Sequence, residues 1–402
     1  MNRQNVEDIY RLTPIQQGIL FHCLYDPEAV AYFEQFHLTM DETVSAGGIE
    51  QTWQLMVSRH PALRTSFLWE GLDEPVQVVH KAAQVPVRYY DWQDTPAEDR
   101  PRRTAEFLEA DRREGFDLQQ APLLRVSVLR WTETLYTFVL SYHHLIMDGW
   151  SYGILWSEVG ELDAAHRAGR PVSLPEPRPF REYIAWYRKQ DPEVAAAYWR
   201  KVLADFTSPT PLGWEPVAGG RARQAADFGQ FDFRLGADET TRLQAMARQS
   251  RLTLNTLFQA AWAHVLACGA GQRVVYMGST VSGRPPALRG SQEMVGCFIN
   301  TLPVRVAVPE RGDIAAWLRP LQIEQVELRK YEHSALVDVR RWAGIPGDRE
   351  LFDSIVVFEN FDIAMMETAS ENSVNRFQRT NYPLTVMVEP TRELLVKLSF
   401  DR

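Results

Sequence analysis

Apolar positions along the chain switch repeatedly between a spacing of three to four and strict alternation, so helices and strands are expected to interleave. Thr13-Pro14-Ile15-Gln16 supplies an N-cap residue, a proline at the first helical position and a capping-box glutamine, predicting a helix that ends near Asp26-Pro27. Ile49, Trp53, Met56 and Val57 recur at helical spacing until His60-Pro61 stops the pattern. After Pro122 two strands are predicted, over 124–129 and 135–142, and the second runs straight into His143-His144. Tyr152, Leu155, Trp156, Val159 and Leu162 then mark one face of another helix.

Four of the 24 prolines fall within residues 171–179, which read as a linker. This sets the expected division at 1–174 and 175–402. Beyond the linker come a helical region with Tyr183, Trp186, Tyr187 and Trp199, and a loop-like stretch over 208–229. Strand patterns return at 231–235, 274–281, 355–358, 384–388 and 394–400. Each half thus offers helices followed by strands, an α/β chain of two lobes without a sequence repeat. The uncharged stretch between Arg251 and Arg273 is broken by Thr253, Asn255, Thr256, Gln259 and His264. Its helical part would span only ~22 Å of a ~30 Å hydrocarbon core, so it reads as a buried helix with His264, like His22, a satisfied core histidine.

The 402 residues exceed the ~250–300 at which one core stops growing. Hydrophobic residues at 45% and charged residues at 24% exclude disorder and coiled coils. With 43 Lys and Arg against 52 Asp and Glu, a net charge of −9 leaves no basic footprint for nucleic acid. The three cysteines, Cys23, Cys268 and Cys297, form no CxxC pair, so neither a disulfide framework nor a thiolate metal site is indicated and a reducing cytoplasm fits. Residues 1–10 lack the apolar core of a secretion signal.

The strongest chemical signal is His143-His144-Leu145-Ile146-Met147-Asp148-Gly149. Neighbouring strand residues point to opposite faces, so one histidine at most looks into a given cavity while the other is packed. Imidazole titrates near neutral pH and suits proton transfer to or from an attacking amine or hydroxyl. Gly149 would admit a positive φ or the close approach of a substrate. The same residues equally fit a helix N-cap and polar groups at a sheet edge, and spacing leaves both readings open.

The heptad from His143 to Gly149 resembles the HHxxxDG signature of condensation domains in nonribosomal peptide synthetases. Six further segments resemble that family's motifs in order: Leu12-Thr13-Pro14-Ile15-Gln16-Gln17-Gly18-Ile19-Leu20, Arg59-His60-Pro61-Ala62-Leu63-Arg64-Thr65-Ser66-Phe67, Phe180-Arg181-Glu182-Tyr183-Ile184-Ala185-Trp186, Val295-Gly296-Cys297-Phe298-Ile299-Asn300-Thr301-Leu302-Pro303-Val304-Arg305, Tyr331-Glu332-His333-Ser334-Ala335-Leu336 and Leu351-Phe352-Asp353-Ser354. The resemblance implies an α+β sandwich of two chloramphenicol-acetyltransferase-like lobes in a V, with the active site in a central tunnel. Donor and acceptor peptidyl carrier proteins would present thioesters on phosphopantetheine arms, the chain itself binding no cofactor and no metal. His144 would act on the acceptor amine with Gly149 beside it. His143, Asp148 and Arg64 would be structural, Asp148 pairing with Arg64. Trp150 would line the tunnel, and Asn300 and Arg305 would lie in the floor loop. Tyr331 to Leu336 matches loosely and contributes no site residue. Cys297 beside the floor loop is most simply a buried cysteine, although a thiol nucleophile is conceivable.

Asp148-Gly149-Trp150-Ser151 departs from heterocyclising and epimerising relatives, and Asn5-Val6-Glu7-Asp8-Ile9-Tyr10 with Ala31-Tyr32-Phe33-Glu34-Gln35 looks like domains that join two L residues. The resemblance further implies a terminal helix after Arg402, and a monomeric excised part of a larger synthetase with an adenylation domain as neighbour. A coenzyme-A-dependent acyltransferase shares HxxxDG, but Asp227-Phe228-Gly229-Gln230 is only a mid-chain fragment of the DFGWG segment of plant-type members. A non-catalytic recruitment domain of the same fold is the other rival.

Overall fold

The structure, a computed structural model, describes residues 3–26, 32–41, 46–213, 228–347, 349–359, 374–377 and 380–401. It divides into two compact units, each drawn from three stretches of sequence. The first comprises Met1–Arg188, Leu288–Phe298 and Phe361–Thr380, and the second Lys189–Ala287, Ile299–Asn360 and Asn381–Arg402. The proline-rich stretch forms no helix or strand, as its composition predicts, but the first unit continues past it to Arg188 and takes back two later stretches. Residues 214–227 of the expected loop, with Asp227, and Ala31 of the Ala31 to Gln35 segment lie outside the described residues.

The first unit is built on a five-stranded sheet in the order Val374–Phe377, Phe33–Asp41, Leu135–His143, Leu124–Arg130, Val87–Asp91. Neighbours are antiparallel except the last pair. Strand Leu135–His143 is central, and its alternation divides the packing. Phe138 meets Trp53 and Trp156 from helices Ala46–Arg59 and Gly149–Arg167, whereas Val139 packs with Leu108 of helix Arg100–Glu114. A smaller antiparallel sheet orders Val6–Arg11, Val76–His80 and Thr65–Leu68. Several of these strands are short or carry charge on one face, and the apolar pattern does not announce them.

Helix Arg100–Glu114 is fixed to the sheet by a buried ion pair. Arg125 Nε donates to Asp111 Oδ1 at 2.6 Å, while its Nη1 and Nη2 donate to the carbonyls of Gly115 and Asp111. Asp111 Oδ2 accepts from Ser141 Oγ at 2.5 Å and Gln35 Nε2 at 2.7 Å. The guanidinium also lies 4.5 Å from the Phe116 ring centroid. Both charges are thus compensated on several sides, the condition under which a buried pair persists.

The second unit holds a six-stranded sheet in the order Asn300–Ala307, Val274–Val281, Ser354–Phe358, Leu384–Glu389, Leu395–Asp401, Phe228–Arg234. Trp199, Val275, Met277, Leu302, Phe352 and Val356 lie in its core. The five strand patterns read in this half all appear. Asn300–Ala307, expected as loop, is instead an edge strand paired with Val274–Val281, because Leu302, Val304 and Val306 alternate into the core. Helix Leu254–Ala270 is buried along one face only: Ala260, Ala263 and Leu266 are covered, whereas His264, Val265 and Cys268 are exposed. His264 is therefore a surface residue and not a core one, and His22 is half-buried beside Tyr32. Among the described residues no helix is long and apolar enough to cross a membrane.

Asp111→Ala should lower stability by about 3–5 kcal/mol, because it leaves the Arg125 guanidinium buried without its counter-charge. Urea unfolding measures this, and a loss below about 1 kcal/mol would show that the pair does not hold the helix.

Candidate active site

His143 ends the central strand opposite Phe33 and is 5% exposed. Its Nδ1 accepts the Leu145 backbone N–H at 3.2 Å, so a neutral ring carries its proton on Nε2, which faces Cys23 Sγ at 3.5 Å. Burial, with a lesser contribution from His144, pushes the imidazole down to about 3, and burial pushes the Cys23 thiol up to about 12. Both groups stay uncharged. His144 lies just past the strand end, where its N–H donates to the Tyr32 carbonyl at 2.9 Å, and keeps part of its surface open. Burial lowers its basicity as well, with Asp148 and the residue's own backbone carbonyl acting in the opposite sense. His143 is thus buried and His144 half-buried.

Asp148 anchors the loop. It is the N-cap of helix Gly149–Arg167, with Oδ1 accepting the Ser151 N–H at 2.8 Å and lying 2.7 Å from Ser151 Oγ. Oδ2 accepts the Phe298 N–H at 3.1 Å. The Asp148 N–H donates to the Gly296 carbonyl at 3.2 Å, and the Gly296 N–H donates to Ser151 Oγ at 3.0 Å. One carboxylate thus starts a helix and holds segment 296–298 to it. The expected partner is corrected: Arg64 pairs with Glu7, Nη2 to Oε2 at 3.0 Å. It lies at the end of the 3-10 turn Pro61–Arg64, and the carboxylate that its motif meets on helix Gly149–Arg167 is Glu158. That residue accepts from Arg59 at 3.1 and 3.2 Å, and its Oε2 lies 3.0 Å from His60 Nε2. Gly149 is the first residue of the helix and is half-buried. A right-handed helical backbone excludes the positive-φ reason for glycine there. Trp150 follows it, also half-buried.

Other motif segments brace the same loop. Gln16, the capping-box partner of Thr13, turns its Nε2 to the Leu145 carbonyl at 2.9 Å and exchanges hydrogen bonds with Gln77. Gln16 was legible as a helix-start residue, but its bond to a loop 129 residues away was not. Phe180 packs edge-on against Phe298 at 4.9 Å, and Tyr183 meets the same ring at 4.6 Å. A Cβ on Gly296 would come 2.2 Å from the Phe180 ring, so only glycine permits this approach.

Asn300 and Arg305 belong to the second unit. Asn300 Nδ2 donates to the carbonyls of Glu332 and Ser334 at 2.8 and 2.7 Å, tying the edge strand to segment 332–334. Arg305 makes a forked ion pair with Asp205, whose carboxylate also accepts from Tyr276 Oη. Hydrogen bonding from Arg305 drives Asp205 well below the usual carboxylate range. Glu332, to which the sequence assigned nothing, is pushed up to about 7 by burial and accepts the Gly283 N–H at 3.0 Å. Among the described residues no group of three or more His, Cys, Asp or Glu is placed to hold a metal ion.

Residues 6–402 match the condensation domain family. Linear gramicidin synthase subunits C and B of Brevibacillus parabrevis are 40% and 42% identical over 99% and 98% of this chain. The chain spans only 5% and 8% of their lengths. The first condensation domain of the calcium-dependent antibiotic synthetase superposes with a TM-score of 0.79 at 20% identity, covering 98% of this chain and 92% of that one. The starter condensation domain of rhizomide synthetase gives 0.81 at 20% identity, covering 98% and 89%. The chain belongs to the condensation domain family of nonribosomal peptide synthetases, whose members form amide bonds between carrier-bound substrates.

Two predictions follow from this geometry. As pH falls, the unfolded chain protonates residue 143 near pH ~6.5, while the folded one resists to about 3. His143 therefore costs stability progressively across that window, by up to ~1.4 kcal/mol per pH unit. His143→Asn should flatten the decline in denaturation midpoint between these limits, and an unchanged slope would refute the buried neutral state. Gly296→Ala should destabilise by ~1–3 kcal/mol through overpacking against Phe180 and speed hydrogen exchange at the Phe298 amide. Unaltered protection there would mean that Phe180 does not seat the segment.

Proposed function

We propose that this chain joins a donor acyl or peptidyl thioester to the α-amine of an acceptor aminoacyl thioester, with His144 as the group that meets the amine. Both substrates would arrive on phosphopantetheine arms of separate carrier proteins, and an adenylation domain of the same synthetase would load the acceptor. The single observation that carries this reading is a part-open, uncharged imidazole on a loop held from several sides while its neighbour is buried. The attack forms a C–N bond and breaks the C–S bond of the donor, and the proton leaving nitrogen ends on the departing thiolate. A neutral imidazole can take that proton and return it. The demand on basicity is small, since an α-amine with a pKa of ~7.7–8.0 is already partly neutral at physiological pH. Orientation is then the larger contribution, worth up to ~7–11 kcal/mol where the reacting atoms are held together.

Gly149 and Trp150 begin the helix immediately after the loop, where the first would leave room for the thioester and the second would line its path. His143, Asp148 and Arg64 serve the architecture, and the employed side chains of Asn300 and Arg305 favour bracing roles for them too. The segment from Asn5 to Tyr10 supports joining of two L residues, three cysteines with no CxxC pair support a cytoplasmic setting, and the excised domain would be monomeric.

His144→Ala should reduce single-turnover transfer between two loaded carrier proteins by at least ~100-fold, with little change in melting temperature. Coenzyme A thioesters should react far more slowly than carrier-bound ones. Equal rates would favour a coenzyme-A-dependent acyltransferase, and full activity of His144→Ala would remove that residue from the chemistry.

A further inference from the structure

Both histidines of the signature have a sulfur against the ring, and the sulfur at His144 has no part in the reading above. Cys297 is buried, lies within the first unit, and places Sγ 3.9 Å from His144 Nδ1. Its place is set on both sides, because Gly296 is fixed by Ser151 and Phe180 and the Phe298 N–H is held by Asp148. The residue's own backbone carbonyl favours a proton on the ring of His144, and of the two ring nitrogens only Nδ1 can turn toward it. A carbonyl oxygen can only accept a hydrogen bond, so a lone pair on Nδ1 would face it unfavourably. A proton on Nδ1 would be shared between that oxygen and a sulfur able to accept weakly, and would leave the basic lone pair on Nε2.

We propose that Cys297 is a positioning residue for His144: its sulfur takes part of the Nδ1–H and closes that side of the ring, so that Nε2 is the nitrogen that receives the proton during amide-bond formation. This rests on the reading of His144 as the group that meets the acceptor amine. Cys297 forms no bond in the reaction, and the thiol stays protonated throughout. Its position thus accounts for a cysteine beside the histidine without a covalent intermediate. The other charged or titratable groups acting on this ring are His143, which stays neutral, and Asp148, whose carboxylate is engaged with Ser151 and Phe298.

The test compares the wild type, Cys297→Ala and Cys297→Ser in the full chain with 15N-labelled histidine, His144 being assigned by its loss in His144→Asn. Nitrogen shifts read the tautomer, and rapid-quench transfer between loaded carrier proteins reads the rate. The wild type should hold the Nδ1–H tautomer. Cys297→Ala should shift toward Nε2–H and slow transfer about three- to tenfold, the scale of one modest hydrogen bond. Cys297→Ser, which keeps an acceptor, should return both readouts to within about twofold of wild type. A wild-type tautomer and rate in Cys297→Ala would overturn the proposal. So would a serine variant that melts like wild type but is as impaired as alanine, or an acyl group trapped on Cys297. If the wild type transfers nothing between carriers, the functional reading fails, and the tautomer shifts still decide the sulfur contact.

Discussion

The loop that carries the histidine pair depends on the Asp148 carboxylate. A helix start leaves several backbone N–H groups without partners, and a carboxylate at the cap both satisfies one of them and suits the positive end of the helix dipole. Here the second oxygen of the same group reaches the Phe298 N–H. Two demands that usually fall to separate residues are met by one side chain, and they are coupled. Movement of the helix start displaces the segment carrying Cys297, and movement of that segment disturbs the cap. His144 sits four residues earlier on a turn whose ends are both tied, so the placement of its backbone is inherited from this arrangement, and the Cys297 sulfur meets a ring whose main chain is already held.

Around this anchor the unit distributes support among parts of the chain remote in sequence. Gln16 holds Leu145, Tyr32 holds the backbone of His144, and Glu158 gathers Arg59 and His60 onto the helix that Asp148 begins. Behind the strand, Ser141 joins the buried Asp111–Arg125 pair two residues before His143. Each support is a directional polar contact in a covered site, where leaving either partner unmatched is costly. Such an arrangement is rigid because no member can relax without exposing another.

What the sequence displayed well were features with local causes. The helix start at Thr13 follows from the residues within one turn, and the burial of His143 follows from its place as the last residue of an apolar strand, with His144 opening the turn after it. The family was legible because seven ordered segments repeat its motifs. Pairings over distance were not legible. Arg64 and Asp148 are both charged and both lie in motifs, yet Arg64 settles on Glu7, since complementary charge does not specify which carboxylate is near. Asn300 carried the signal of a polar loop but starts an edge strand, where its amide serves two carbonyls. His264 was misplaced because an uncharged helix need not be buried on every face.

The first unit's assembly from three stretches of chain bears on how such domains can be recombined. A cut in the proline-rich linker looks natural, since residues 171–179 form no helix or strand. Yet the fragment before it would carry Asp148 and Ser151 without Gly296 and Phe298, which return to this unit more than a hundred residues later. Exchanging halves between two synthetases at that point would join a capping carboxylate from one parent to a segment from the other. Compatibility would then be decided by the match at residues 296–298 more than by the linker itself.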